Sequence, residues 1–130
     1  MSEAVIRKTI SQEDMNRFAG LRGARLGTAR PAGKGSHHTD PAVAKEAGLS
    51  GTVAQALHYC AYVSQLLLDE HGRRWVEGGE LEIKFVRPLY AGDSVEVTLT
   101  ESGADHARVE CRNQDGQMLA FGNATLARDE

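Results

Sequence analysis

The chain has 130 residues, 41% of them hydrophobic and 25% charged, which is the composition of an ordinary globular domain. The formal charge of -3 and a sequence pI near 5.9 exclude a duplex-binding surface as the main feature, since such proteins carry a basic face. No apolar run approaches the roughly 20 residues that cross a bilayer, and the first residues lack a signal-peptide core. We therefore expect one domain over residues 1–130, located in the cytoplasm, without a nucleic-acid or membrane partner.

The first quarter of the chain predicts a strand, a helix and a loop. Residues 5–10 read as a short strand, and Ser11 with Asp14 approximates a capping box that opens a helix over residues 14–21. Residues 21–35 contain several glycines and a proline and are expected to form a loop. That loop contains no acid and four basic side chains: Arg22, Arg25, Arg30 and Lys34.

Two further helices are predicted in the middle of the chain. Asp40 can cap a short helix that Pro41 begins and Gly48 ends. Residues 51–71 form the longest helical pattern, apolar over most of its circumference, and such a helix is expected to be buried. Gly72 should end it.

The C-terminal half has a period of two, which indicates strands with one buried face. The strands are predicted at residues 81–85, 95–99, 107–111 and 118–126, with a hairpin turn at Asp115-Gly116. Residues 75–79, with Trp75, are expected to turn into the sheet and to contact a second subunit. An antiparallel meander must cover its apolar face, and the long helix is the available partner, so the fold class is α+β.

The two cysteines, Cys60 and Cys111, form no CxxC pair. We expect no metal site and assign both as buried apolar fillers.

Three segments occur in the order found in one known family. They are residues 38–49, which begin His38-Thr39-Asp40-Pro41; residues 51–57, which read GTVAQAL; and residues 85–93, which read FVRPLYAGD. With residues 10–21, this set resembles the MaoC-like family, which includes the (R)-specific enoyl-CoA hydratases. The resemblance implies a hotdog fold, in which an antiparallel sheet wraps around a long central helix.

The resemblance also implies a set of site residues. The family's catalytic histidine falls on His38, the general acid/base that moves a proton as water adds to, or leaves, an enoyl thioester. The family's catalytic aspartate falls on Gly33, which has no side chain. Its replacement is expected among water, His37 and Gln55. Substrate and oxyanion contacts are assigned to the start of the long helix: Gly51, Val53, Ala54, Ala56 and His58.

Each assignment has a structural alternative. His38 could be a loop histidine satisfied by nearby backbone, and His37 could point to solvent. Asp40 could orient His38, although its capping role is a sufficient explanation. His58 could be a hydrogen-bonded core or interface histidine.

Basic residues are candidates for binding coenzyme A. Arg87 occupies a position that is often basic in the family and serves either structure or CoA binding. The four basic loop side chains either contact CoA phosphates or are simply solvated. No cofactor is expected except CoA as part of the substrate.

The sequence therefore predicts a hydro-lyase acting on an acyl thioester, such as an enoyl-CoA, or on a related activated carbonyl compound. The alternative is a non-catalytic hotdog protein that binds an acyl ligand or supports a partner subunit, which the glycine at position 33 favours. A hotdog thioesterase ranks third because residues 52–68 contain no acidic side chain. The sheet edges and the outer side of the helix predict a homodimer or a higher homo-oligomer.

Overall fold

The computed structural model describes residues 4–26, 35–100 and 103–128, except for the side chains of residues 21–26. These residues cluster into two compact units. One unit comprises the residues up to 8, residues 56–87 and those from 94 onward, and the other comprises residues 9–55 and 88–93. The elements, in chain order, are β1 (Ala4–Thr9), α1 (Gln12–Leu26), α2 (Pro41–Glu46), α3 (Ala56–His71), α4 (Arg73–Gly78), β2 (Glu80–Phe85), β3 (Ser94–Thr100), β4 (His106–Asn113) and β5 (Met118–Thr125).

The first unit is built on a five-stranded sheet in the order β1-β3-β4-β5-β2. The pairs β3/β4, β4/β5 and β5/β2 are antiparallel. The predicted hairpin joins β4 to β5, with Gly116 at a φ of 76°. The expected meander holds only from β3 to β5, because β2 pairs with β5 rather than with β3. Period-two alternation identifies a strand but carries no information about which strand pairs with it.

Alternation along the strands produces the buried face of the sheet. Register places Val97 opposite Cys111 and Leu99 opposite Val109, and all four side chains are at most 2% exposed. Successive side chains of a strand point to opposite faces, so each buried residue stands two positions from the next. The apolar side chains that the sequence assigned to the core on β3 and β4 are confirmed there.

Helix α3 packs against β3 within the same unit. It buries Tyr59, Val63, Leu66 and Leu67. The prediction that α3 is buried around most of its circumference is wrong for the single chain, since Leu57 is 48% exposed. The helix also begins at residue 56 rather than 51, and it ends, as predicted, before Gly72, whose φ is 56°. The short helix α4 that follows was not predicted.

Helix α1 opens the second unit with the predicted capping box. The amide of Asp14 donates to Ser11 Oγ at 3.0 Å, and the amide of Ser11 donates to Asp14 Oδ2 at 3.1 Å. The helix extends to Leu26, so the prediction of a loop from residue 21 is wrong over its first six residues. Arginine, alanine and leucine are good helix formers, and they outweigh the roughly 1 kcal/mol that a helical glycine costs. Residues 27–34 of that predicted loop lie outside the described residues.

Helix α2 follows the prediction closely. Asp40 Oδ1 accepts a hydrogen bond from the amide of Ala42 at 3.0 Å, and Pro41 begins the helix. Gly48 has a φ of 82°, a left-handed conformation that favours glycine just beyond a helix.

The two cysteines have different environments in the first unit. Cys111 is buried on β4, as expected, and burial, with a further contribution from nearby Cys60, raises the pKa of its thiol to about 12. Cys60 is only half-buried on α3, and burial also raises the pKa of its thiol. Neither thiol is therefore activated as a nucleophile, which requires a lowered pKa.

Candidate active site

His38 lies in a tight polar turn in the second unit, just before α2. The Ser36 side chain accepts a hydrogen bond from the amide of His38 at 3.2 Å. The Ser36 carbonyl accepts from the amides of Thr39 and Asp40 at 3.0 and 2.8 Å. Serine side chains of this kind close local turns by bonding to nearby backbone groups. The turn determines where the His38 backbone lies.

The imidazole of His38 is held by one backbone oxygen. Its Nδ1 lies 2.8 Å from the carbonyl oxygen of Val53, and the residue is half-buried. A carbonyl oxygen can only accept, so Nδ1 must carry the hydrogen of this bond. In the neutral ring the proton is then on Nδ1, and Nε2 is the nitrogen that can accept a hydrogen.

Residues 52–55 are extended rather than helical. The amide of Val53 donates to the carbonyl of His37 at 3.1 Å, and that of Ala54 donates to the carbonyl of Leu89 at 2.8 Å. Val53 also forms an isolated antiparallel bridge with Tyr90. Because these bonds hold Val53 and Ala54 outside the helix, α3 begins later than predicted. They also occupy the amides of both residues, which the sequence had suggested as oxyanion donors. Gly51, also proposed for the site, lies beside this segment, where an added Cβ would sit 3.7 Å from the Tyr90 ring.

A side chain that the sequence did not suggest holds the backbone of His38. Gln12, in the first turn of α1, donates from Nε2 to the His38 carbonyl at 2.9 Å. Its Oε1 accepts a short hydrogen bond from the hydroxyl of Thr52, a buried residue of the extended segment. No local pattern links Gln12 to the site, because its bonds to His38 and Thr52 span 26 and 40 residues of the chain.

Gln55 ends the extended segment and is only 6% exposed. Its Nε2 donates to the carbonyl of Met15 on α1 at 3.1 Å. Its Oε1 is buried and accepts no hydrogen bond from any residue that the structure describes. A buried acceptor of this kind costs free energy unless a partner satisfies it, which makes Gln55 a candidate for ligand contact.

The remaining predicted residues are divided between the two units. His37 is exposed in the second unit, and its ring centroid lies 3.9 Å from that of His38. Ala56 is the first residue of α3 in the first unit, and His58 of the same helix lies with its ring 6.2 Å from the ring of Tyr62. Arg87, also in the first unit, is exposed and donates to the carbonyl of Met118 at 2.9 Å.

Several predicted positions belong to the part of the chain that the structure does not describe. Gly33, Arg30 and Lys34 lie outside the described residues, as do the side chains of Arg22 and Arg25. Within residues 4–26, 35–100 and 103–128, no three histidine, cysteine or acidic side chains are grouped so that they could hold a metal ion. Among the helices described, none combines the length and apolarity needed to cross a bilayer.

Comparison with known proteins extends these observations. The model of the MaoC-like domain matches residues 35–119. A comparison with curated proteins finds no match.

Solved structures match over nearly the whole chain. The R-hydratase PhaJ1 from Pseudomonas aeruginosa, in its unliganded form, is 22% identical with a TM-score of 0.71, covering 99% of this chain and 81% of that one. The (R)-hydratase from A. caviae involved in PHA biosynthesis is 18% identical with a TM-score of 0.70, covering 98% and 95%. The C-terminally truncated HadBC (3R-hydroxyacyl-ACP dehydratase) complex from Mycobacterium tuberculosis is 16% identical with a TM-score of 0.65, covering 95% and 93%.

At these identities the structural matches establish the fold. The five-stranded antiparallel sheet with its long helix is the predicted hotdog fold, of class α+β. The family model covers well over half of the chain, including the turn of His38 and the segment that carries Gln55. This protein belongs to the family of MaoC-like domain proteins.

Proposed function

We propose that the protein is a hydro-lyase that adds water to, or removes it from, an acyl thioester such as an enoyl-CoA, with His38 as the general acid/base. Membership of the MaoC-like family supports the reaction class. The observation that carries the proposal is the 2.8 Å contact between His38 Nδ1 and the Val53 carbonyl. It leaves Nε2 as the nitrogen that can take and return a proton.

The proposed reaction moves one proton through Nε2. In hydration, Nε2 takes a proton from water while the water oxygen bonds to Cβ and the carbon–carbon π bond breaks. The imidazolium then gives its proton to Cα, which restores the neutral ring and leaves a 3-hydroxyacyl thioester. Dehydration follows the same path in reverse.

Negative charge develops on the thioester oxygen and requires donors. The amides of Val53 and Ala54 are engaged in backbone hydrogen bonds, so neither is the proposed donor. The donor required is an N–H group that has no partner within the chain and points at the oxygen where charge develops. CoA enters only as part of the substrate.

The second candidate function is a non-catalytic hotdog protein that binds an acyl ligand. It is favoured by one observation, the glycine at position 33, where the family resemblance expects the catalytic aspartate. A protein of this kind would bind a thioester without changing its double bond.

One assay distinguishes these functions. The purified protein is incubated with crotonyl-CoA, and loss of the conjugated double bond and release of free thiol are followed separately. We expect the double bond to be lost without thiol release. Thiol release alone would indicate a thioesterase, and binding with neither change would establish the non-catalytic alternative; either result contradicts the hydro-lyase.

A further inference from the structure

The imidazole rings of His37 and His38 lie against each other in the turn before α2. Their centroids are 3.9 Å apart, and their planes are tilted by 43°. At this separation the rings are in van der Waals contact, since carbon atoms attract each other best at about 3.5–4.0 Å. The His37 ring therefore covers part of the His38 ring, while residue 37 itself is exposed.

Val53 connects both histidines to the extended segment. Its amide donates to the His37 carbonyl at 3.1 Å, and its carbonyl oxygen lies 2.8 Å from His38 Nδ1. The first bond fixes the backbone of residue 37, and the second fixes the place of Nδ1. His37 is thus attached to the same residue that holds the ring of His38, and all three residues belong to the second unit.

A hydrogen bond at one nitrogen does not by itself fix the orientation of an imidazole. The ring can still rock about the N–H···O axis, because the torsion that joins Cβ to a histidine ring has broad minima. A second ring packed against the first restricts this rotation and keeps Nδ1 directed at the Val53 carbonyl. Tilted and offset aromatic pairs contribute enough free energy to favour one orientation.

We propose that His37 is a positioning residue, whose ring orients the imidazole of His38. This inference rests on the proposed function, in which His38 moves a proton through one ring nitrogen. His37 exchanges no proton in this role, so an aromatic ring without nitrogen should replace it. Loss of the ring should lower kcat and leave KM nearly unchanged, because orientation of the reacting group affects turnover more than binding of the thioester.

The test compares His37→Ala, which removes the ring, with His37→Phe, which keeps a ring without nitrogen. Both variants should fold, because residue 37 is exposed. We expect His37→Ala to lower kcat for crotonyl-CoA hydration about fivefold, the size of a typical aromatic contact, with KM within about twofold. His37→Phe should stay within about twofold of the wild type in kcat. The same two substitutions at His106, whose ring contacts Asn123 on the sheet, are the control and should leave kcat unchanged.

Nitrogen NMR of the histidine side chains gives a second measure, which does not depend on activity. At a pH where the rings are neutral, the wild type should show His38 protonated at Nδ1, with widely separated shifts for its two ring nitrogens. His37→Ala should narrow this separation as the ring samples both tautomers, and His37→Phe should preserve it. Comparison with the His38→Ala spectrum identifies the His38 signals.

The two measurements separate this inference from the proposed function. An inactive wild type whose His38 signals still respond to His37→Ala would contradict the proposed function and support the positioning of the ring by His37. An active wild type with unchanged kcat and unchanged His38 signals in His37→Ala would overturn the inference alone. Equal loss of kcat in His37→Ala and His37→Phe would mean that a nitrogen of His37 acts in the reaction, which would also overturn it.

Discussion

At the scale of single residues, His38 is held at both ends before any substrate arrives. The Val53 carbonyl orients the ring, and the Gln12 side chain holds the backbone carbonyl. Gln12 is itself tied to the buried Thr52 hydroxyl. Preorganisation of this kind lowers the cost of reaching the reactive geometry, because the group is already oriented. Gln12 is therefore expected to be a positioning residue for His38.

Substitution of Gln12 tests this positioning role. Gln12→Glu keeps an acceptor for Thr52 but replaces the donor to His38 with an oxygen that repels its carbonyl. We expect kcat for crotonyl-CoA hydration to fall about tenfold while KM stays within about threefold. Asn16→Asp is the matched control, because Asn16 Oδ1 only accepts from Gln12 and an acid can do the same. Unchanged kcat in Gln12→Glu would show that the turn at Ser36 suffices to place His38.

At the scale of elements, strand β5 approaches β2 closely at Gly122. Gly122 is opposite Ile83 in the antiparallel register. A Cβ added at Gly122 would overlap the backbone carbonyl of Glu82. The backbone of the neighbouring strand cannot move aside without disturbing the pairing. Gly122 is therefore required by the contact between the two strands.

Gly122→Ala should lower the free energy of unfolding by about 1–3 kcal/mol, the usual cost of overpacking. Urea denaturation followed by circular dichroism measures it. Gly20→Ala is the control on α1, where an added Cβ meets nothing within 4 Å, and it should be neutral or stabilising by up to about 1 kcal/mol. If Gly122→Ala and the wild type had equal free energies of unfolding, the backbone of β2 at Glu82 would have moved aside at no cost, which would contradict the prediction.

At the scale of the whole molecule, a single copy leaves large apolar side chains in water. Leu57 and Leu68 on α3 are 48% and 47% exposed, and Phe85 and Val86 at the end of β2 are each 42% exposed. β2 is also an edge strand of the sheet, with one side unpaired in the described chain. Exposed apolar groups and strand edges are the features that subunit interfaces cover. We propose that the protein is a homodimer.

Light scattering after size exclusion should give twice the 14.1 kDa mass of the chain. Leu68→Lys places a charge in the apolar surface and should shift the protein toward the monomer mass. Glu70→Lys, at an exposed position two residues further along α3, should leave the dimer intact. A wild-type mass of one chain would contradict the proposal.

Features with local causes could be predicted from the sequence. The capping box of Ser11 and Asp14 needs only residues three apart, and strand alternation needs only neighbours two apart. The likeness of residues 38–41 to a family motif pointed to His38 before its contacts were known. These signals predicted the four C-terminal strands and the helix cap at Asp40, and they singled out His38, but not the turn that Ser36 closes around it.

Features with distant causes could not be predicted. The true start of α3 depends on bonds from Val53 and Ala54 to His37 and Leu89, which lie 16 and 35 positions away. The pairing of β2 with β5 depends in the same way on contacts that no local period encodes. Gln12 was missed because its partners at the site, His38 and Thr52, come together with it only in the folded chain.

In the proposed reaction His38 Nε2 moves the proton, and kcat/KM for crotonyl-CoA hydration by His38→Ala is the measurement that bears on this role. Removal of a general acid/base typically costs between 10² and 10⁴ in rate. We predict a loss in this range, with the thermal unfolding midpoint close to that of wild type. A folded His38→Ala variant that hydrates crotonyl-CoA at the wild-type rate would contradict the account.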